Sequence, residues 1–424
     1  MKRLLLWTCS ALLAAAPSFA EDVVKIGEIE AQTGPNAIYG YMSSQGTPIA
    51  VDQINKAGGF KVGDKTYKLE LISQDTRGDP KEASIQLKRL LESDGVKFIF
   101  GPFLSNVFVT IEPYAKQFNG KFLMMGGATR IHDFVGTPDH DFLLRTWNWD
   151  AGPNGFGNLM VDNLIKETGI KKIAILMQND QGGKVIGDIY MPLFKEKGID
   201  AQIEFFDPGT NDFSAVLAKL AASKPDFLFP GYGDAAIYDI VRQATEGNFF
   251  RRFFMTRGSL GPGLKNKDEI DDYFVYVPKY FEQAEKTDPK VAKFVADYKA
   301  FYKRDFPYDQ GPMCSSSCYD HVFMLVEAMK KAGSVDDVAK IRKELLAMSY
   351  DGLWKIKYDE HGEEIINFDV VRLAAYRQPS VRSISVCGLS LLCKVATPIE
   401  IVTRPRCSPV DRFINSLVIT ARRM

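Results

Sequence analysis

Between residues 23 and 373 the chain alternates apolar runs of strand length with amphipathic stretches of helical period, and few architectures accept that text. Residues 23–28 are apolar and extended, residues 44–56 place Ile49, Ala50 and Ile54 at helical spacing before Gly58 and Gly59, and residues 67–73 return to a strand pattern. Asp79, Pro80 and Glu82 predict a helix start, with aspartate at the N-cap, proline in the first turn and glutamate closing a capping box. That helix is expected to reach about Glu92, before a buried strand at 98–101, a helix at 107–118 and a strand at 121–125.

The pattern restarts after Trp149. Helices at 155–168, 185–197, 212–223 and 235–246 alternate with strands at 172–177, 200–205, 226–230 and 252–255. Residues 273–277 then lead to helices at 289–302, 314–331 and 335–348 and to final strands at 354–358 and 366–373. Repeated βα units bury parallel sheets between helices through right-handed crossovers, so the predicted class is α/β with two doubly wound parallel sheets.

The first twenty residues stand apart. Lys2 and Arg3 precede an apolar run at 4–16 too short to span a bilayer, and Ser18, Phe19 and Ala20 form a small-x-small site. Residues 1–20 therefore read as a signal peptide cleaved after Ala20, and the protein as periplasmic. Trp7, two residues before Cys9, argues against a lipid-anchor signal. Residues 21–377 carry 44 basic and 51 acidic side chains, a balance that argues against nucleic acid or an anionic membrane surface as partner. The closest later approach to a membrane span, 384–402, is interrupted by Lys394, Pro398 and Glu400.

Cysteines after Ala20 form no metal-type pairs, and His132, His140, His321 and His361 are scattered, so neither a metal site nor a cofactor is expected. No GxSxG elbow, HExxH helix or P-loop lysine occurs, and no enzyme is predicted. Cys314 and Cys318 lie one helical turn apart, a spacing that strains a disulfide in a compartment that favours one; paired and unpaired states both stay open.

Several short motifs fall in a telling order: Gln32-Thr33-Gly34-Pro35 with Tyr39-Gly40, Asn55-Lys56-Ala57-Gly58-Gly59, Asp79-Pro80, Gly101-Pro102-Phe103-Leu104-Ser105, Gly127-Ala128-Thr129 and Arg145-Thr146. Jointly, over about residues 23–375, they resemble the branched-chain amino-acid-binding family of ABC-transporter periplasmic receptors. The resemblance implies a type I periplasmic binding protein, two Rossmann-like lobes joined by three chain crossings near 146–151, 277–280 and 352–354. It implies a first lobe of 21–148 and 279–352, a second lobe of 149–278 and 353–377, and an atypical tail at 378–424. Partners implied are a small-molecule ligand and the membrane subunits of an ABC permease, with the receptor a monomer. A sensing subunit that reports occupancy to a signalling protein is the alternative.

Open α/β sheets take ligands at the carboxyl ends of their strands, where helix N-termini and loop N–H groups attract anions. Ser105, between a strand and a helix, is a candidate carboxylate ligand, as are Gly127, Ala128 and Thr129 after the next strand; the family's carboxylate positions match them, and helix capping is the competing role. Tyr39, at a sharp turn ahead of a helix, matches an aromatic that covers the ligand. Trp147 and Trp149 flank the first crossing and share one side of an extended segment, either facing the cleft or packed in the core.

The second lobe departs from the amino-acid-binding pattern. The family's acidic partner for an ammonium falls in Thr256-Arg257-Gly258-Ser259, which holds no carboxylate; the aromatic after the 172–177 strand is replaced by Asn179-Asp180-Gln181-Gly182-Gly183; and Cys314 stands where a bulky aromatic can occur. A buried unpaired ammonium costs several kcal/mol, so Asp180 and Asp234 are its remaining candidate partners. A planar aromatic acid, held by Tyr232 and Arg257 as well, needs none, and residues 145–150 are similar to receptors for hydroxycinnamate-type acids. After Gln378 three cysteines and six serines occur in 47 residues and no continuation of the fold is expected; a genuine extension and translation past a frame change both stay open.

Overall fold

The computed structural model describes residues 22–34, 36–126, 134, 136–146, 157–230, 234–255, 269–277, 281–307, 313–365, 367–374 and 380–385. The first sheet contains β1 (Asp22–Glu30), β2 (Phe60–Val62), β3 (Lys65–Asp75), β4 (Phe98–Phe100), β5 (Leu123–Met125) and β6 (Leu143–Leu144), in the order β2-β3-β1-β4-β5-β6. All its pairings are parallel except the β2–β3 hairpin.

The second sheet contains β7 (Lys172–Gln178), β8 (Asp200–Phe206), β9 (Phe227–Pro230), β10 (Arg252–Met255) and β11 (Asp272–Val277). A hairpin of β12 (Ser349–Asp351) and β13 (Lys355–Lys357) precedes β14 (Asn367–Ala374) and β15 (Ser380–Ser385), which complete the order β15-β14-β11-β10-β9-β7-β8. β14 and β15 join antiparallel. Strands covered on both faces read as unbroken apolar runs; Ile173 to Met177 of β7 and Phe98 to Phe100 of β4 are wholly buried. Each such large side chain contributes about 1.5–3 kcal/mol by leaving water.

Helices α1 (Ala37–Ser44), α2 (Gly46–Lys56), α3 (Pro80–Lys88) and α4 (Ser105–Ala115) accompany the first sheet, and α5 (Gly157–Thr168), α6 (Gln181–Glu196), α7 (Ser214–Ala221) and α8 (Asp234–Glu246) the second. The chain then supplies α9 (Phe281–Thr287), α10 (Pro289–Tyr302), α11 (Met313–Ala332) and α12 (Val338–Ala347). α10 and α11 pack on α2, and α11 also on α1, so this stretch returns to the first half of the molecule.

Four expectations are corrected here. Asp79 caps α3 by accepting from Lys81 N and Glu82 N, but no reciprocal box forms: Asp79 N donates to Thr76 O at 2.8 Å and the Glu82 carboxylate takes the Gln86 amide at 2.6 Å. The helix expected at 44–56 is two helices that begin at Ala37, which puts Tyr39 inside α1 instead of ahead of a helix. Residues 352–354 form the turn of the β12–β13 hairpin, and Trp354 N bonds Asp320 Oδ2 on α11 at 2.8 Å. The third passage between sheets therefore comes after Glu364, whose N–H still bonds Arg145 O, and before Asn367, which begins β14. Finally, the tail is not wholly outside the fold, because residues 380–385 pair with β14 as the edge strand of the second sheet.

Candidate functional site

In each sheet the strand order reverses beside its first parallel strand, between β1 and β4 in one and between β7 and β9 in the other. Such switch points open a crevice at the strands' carboxyl ends. In the first sheet the loops after β1, β4 and β5 leave side by side.

The loop after β1 is organised by Asp75 at the end of β3. Its Oδ1 accepts from Gln32 N at 2.9 Å, Thr33 N at 3.2 Å and Arg77 N at 2.8 Å, and its Oδ2 from Thr33 Oγ1 at 2.6 Å. Burial pushes the Asp75 carboxyl up, but these bonds prevail and hold it below its ordinary value. Sequence reasoning passed over Asp75; only the β1–β3 register, which sets Glu30 opposite Asp75, brings it under the loop. Gly40 has no substitute here, because a Cβ would collide with Ala31 O.

The loop after β4 rests on Glu30, whose Oε2 accepts from Phe103 N at 3.2 Å. Burial holds this carboxyl well above the usual carboxylate range. Glu28, two residues earlier and equally buried, is raised by burial to about 7 against a 2.7 Å bond from Ser73. Both were missed from sequence, although two acids on one face of a buried strand are a visible signal. Ser105, the first residue of α4, is buried at the helix N-terminus; the N-cap is Leu104, with no side-chain cap. Unsatisfied N–H groups at such an end favour an anion.

The loop after β5 begins at Gly126, whose N–H donates to Thr146 Oγ1 at 3.1 Å. Gly127, Ala128 and Thr129 lie outside the described residues, as do Trp147, Trp149, Tyr232 and Arg257; of Tyr39, Asp234 and Cys314 only the backbone is described. Cys318 carries a thiol, not a disulfide, and donates to Gly126 O at 3.7 Å.

Across the crevice, Asp180 is the N-cap of α6. Its Oδ1 accepts from Gly183 N at 2.8 Å and its Oδ2 from Gln178 Nε2 at 2.7 Å, so both oxygens already have protein donors. Helices α4 and α6, one from each half, come into contact. The structure thus brings Ser105 and Asp180 to the starts of two helices that meet across the two sheets. Among the described residues no cluster of His, Cys, Asp and Glu is arranged to hold a metal ion, and no helix is long and apolar enough to cross a membrane.

Residues 23–372 match the family model described as periplasmic binding protein, and the chain belongs to that family. The Leucine-, isoleucine-, valine-, threonine-, and alanine-binding protein of Pseudomonas aeruginosa is 26% identical over 365 residues, covering 84% of this chain and 90% of the relative. The Leu/Ile/Val-binding protein of Escherichia coli K12 is 26% identical over 376 residues, covering 86% and 95%. Among solved structures, a leucine-binding protein of Thermotoga maritima aligns with a TM-score of 0.68 at 23% identity, covering 85% of this chain and 99% of that one. An R. palustris ABC-transporter solute-binding protein in complex with benzoate aligns with a TM-score of 0.68 at 17% identity, covering 88% and 100%. These alignments establish the fold, two doubly wound lobes of the type I periplasmic binding protein kind.

Proposed function

We propose that this chain is the periplasmic substrate-binding component of an ABC importer, which captures a small carboxylate between its lobes, without chemical conversion, and presents it as a monomer to a membrane permease. The observation that carries this is the set of three adjacent loops at one switch point, the first pinned by Asp75, the second by Glu30 and the third by Thr146, with Ser105 at a helix N-terminus among them. Curated relatives named for branched-chain amino acids support the ligand size. On this reading Ser105, Gly127, Ala128 and Thr129 hold the carboxylate, while Tyr39, Trp147, Trp149, Tyr232 and Arg257 contact the rest of the ligand. The lobes comprise about 21–148 with 279–364 and 149–278 with 367–385.

The ligand favoured is a planar aromatic monocarboxylate. Residues 256–259 hold no acid, and Asp180 already accepts from Gly183 and Gln178, so an α-ammonium would have to recruit Asp180 away from capping α6 or draw on Asp234. The benzoate bound by the R. palustris protein is a ligand of this class. Calorimetric titration with benzoate, a hydroxycinnamate and leucine tests it: an aromatic acid binds more tightly than leucine. Tight leucine binding abolished by Asp180→Asn or Asp234→Asn overturns the aromatic assignment and leaves an amino-acid receptor.

A further inference from the structure

Gly126 follows β5 directly, with its N–H and its carbonyl both held from elsewhere in the chain. Its N–H donates to Thr146 Oγ1 at 3.1 Å and its carbonyl accepts the Cys318 thiol at 3.7 Å, each partner buried. Its φ is +74°, and an added Cβ would lie 3.2 Å from Phe100 Cδ1 and 3.3 Å from Cys318 Sγ, so the position favours glycine and sits closely against both neighbours. Thr146 is the last described residue of the first passage between the sheets.

The residue before Thr146 is bonded to the segment that leads into the third passage. Arg145 N donates to Gly362 O at 2.8 Å, Arg145 O accepts from Glu364 N at 3.0 Å, and the Arg145 guanidinium pairs with Glu363, both side chains buried. Thr146 Oγ1 also lies 3.4 Å from Nε2 of His321, a fully buried residue of α11. One hydroxyl thus stands beside the end of β5, the residues that lead into two passages between the sheets, and α11.

We propose that Thr146 is a positioning residue for ligand capture: its hydroxyl locks the end of β5 to the passages on which the two lobes turn, so that the strand end is set for the ligand before closure. The proposal rests on the reading of this crevice as the ligand site. Thr146→Val keeps the shape and removes only the hydroxyl, which leaves the buried Gly126 N–H without its partner. Thr146→Ser keeps the hydroxyl.

The test is backbone amide exchange followed by NMR in the ligand-free full chain, with calorimetric titration of benzoate and of leucine, for wild type, Thr146→Val and Thr146→Ser. In Thr146→Val the Gly126 amide exchanges at least about tenfold faster while amides of β7 keep their rates, and the Kd of whichever probe the wild type binds rises about tenfold, the loss of one buried hydrogen bond. Thr146→Ser stays near wild type in both. A folded Thr146→Val with unchanged Gly126 exchange or unchanged affinity overturns the proposal. Should Thr146→Val not fold, the wild-type Gly126 amide still decides: slow exchange agrees, and exchange at the rate of an unprotected amide overturns the lock. If the wild type binds neither probe, the assigned ligand class falls, while the exchange measurements still judge the lock.

Discussion

Asp75 receives two bonds from Thr33, one from its backbone N–H at 3.2 Å and one from its hydroxyl at 2.6 Å. A carboxylate at the end of one strand therefore dictates the conformation of the loop leaving the next. The Gln32-Thr33-Gly34 turn is a consequence of this pairing as much as of its glycine.

Asp75→Asn removes the charge and one acceptor while keeping the shape. Bonds to a charged acceptor are worth about 1.5–3 kcal/mol each, and the expected outcome is a Kd raised roughly tenfold or more, with a lower melting temperature at pH 7. Because the folded carboxyl is held below its ordinary value, its contribution is complete above that value and is lost as pH falls through the folded one. Melting curves of wild type and Asp75→Asn should therefore converge as the pH falls through the folded value, which lies below the ordinary aspartate range; a gap that persists below the folded value contradicts this role.

The N-cap of α4 is Leu104, whose apolar side chain caps nothing, and Ser105 is the first residue of the helix. If Ser105 and Thr129 hold the carboxylate through charge-assisted bonds, alanine at either position weakens binding about 10- to 150-fold, the equivalent of 1.5–3 kcal/mol. The ligand-free melting temperature barely moves. Affinity unchanged in both variants returns these residues to a structural role.

Glu28 works in the opposite sense to Asp75. Burial raises its carboxyl from 4.5 to about 7, so the folded state favours the neutral acid. Stability from this group is complete below the unfolded value and declines as pH rises towards 7, because the unfolded chain gains by ionising first. Glu28→Gln keeps an acceptor for Ser73 and abolishes that decline: it melts higher than wild type at pH 8 and shows no advantage at pH 4. Equal melting at pH 8 would mean that Glu28 ionises normally.

The central parallel strands were legible in the sequence because strands buried on both faces leave unbroken apolar runs, as in β4 and β7, whereas the short β2, β6 and β12 were not; α3 and α10 were legible because aspartate and proline mark their starts. The break between α1 and α2 was not. It falls at Gln45, whose Oε1 accepts from Arg304 Nη2 at 2.6 Å and whose carbonyl accepts from Tyr302 at 2.9 Å, partners more than 250 residues away. β15 escaped because its short, serine-rich run gains strand character only by pairing with β14. In the site, Ser105 and Asp180 sit at the starts of helices that local pattern predicts but begins two and about four residues later, at 107 and 185, whereas Asp75, Glu30 and Thr146 act through tertiary register that no local pattern carries.

Small-angle scattering of the full chain, without ligand and with saturating amounts of whichever of benzoate and leucine binds more tightly, tests the central claim of capture between two hinged lobes most directly. The radius of gyration should fall on binding. An unchanged radius at a saturation verified by calorimetry would contradict a receptor that closes on its ligand.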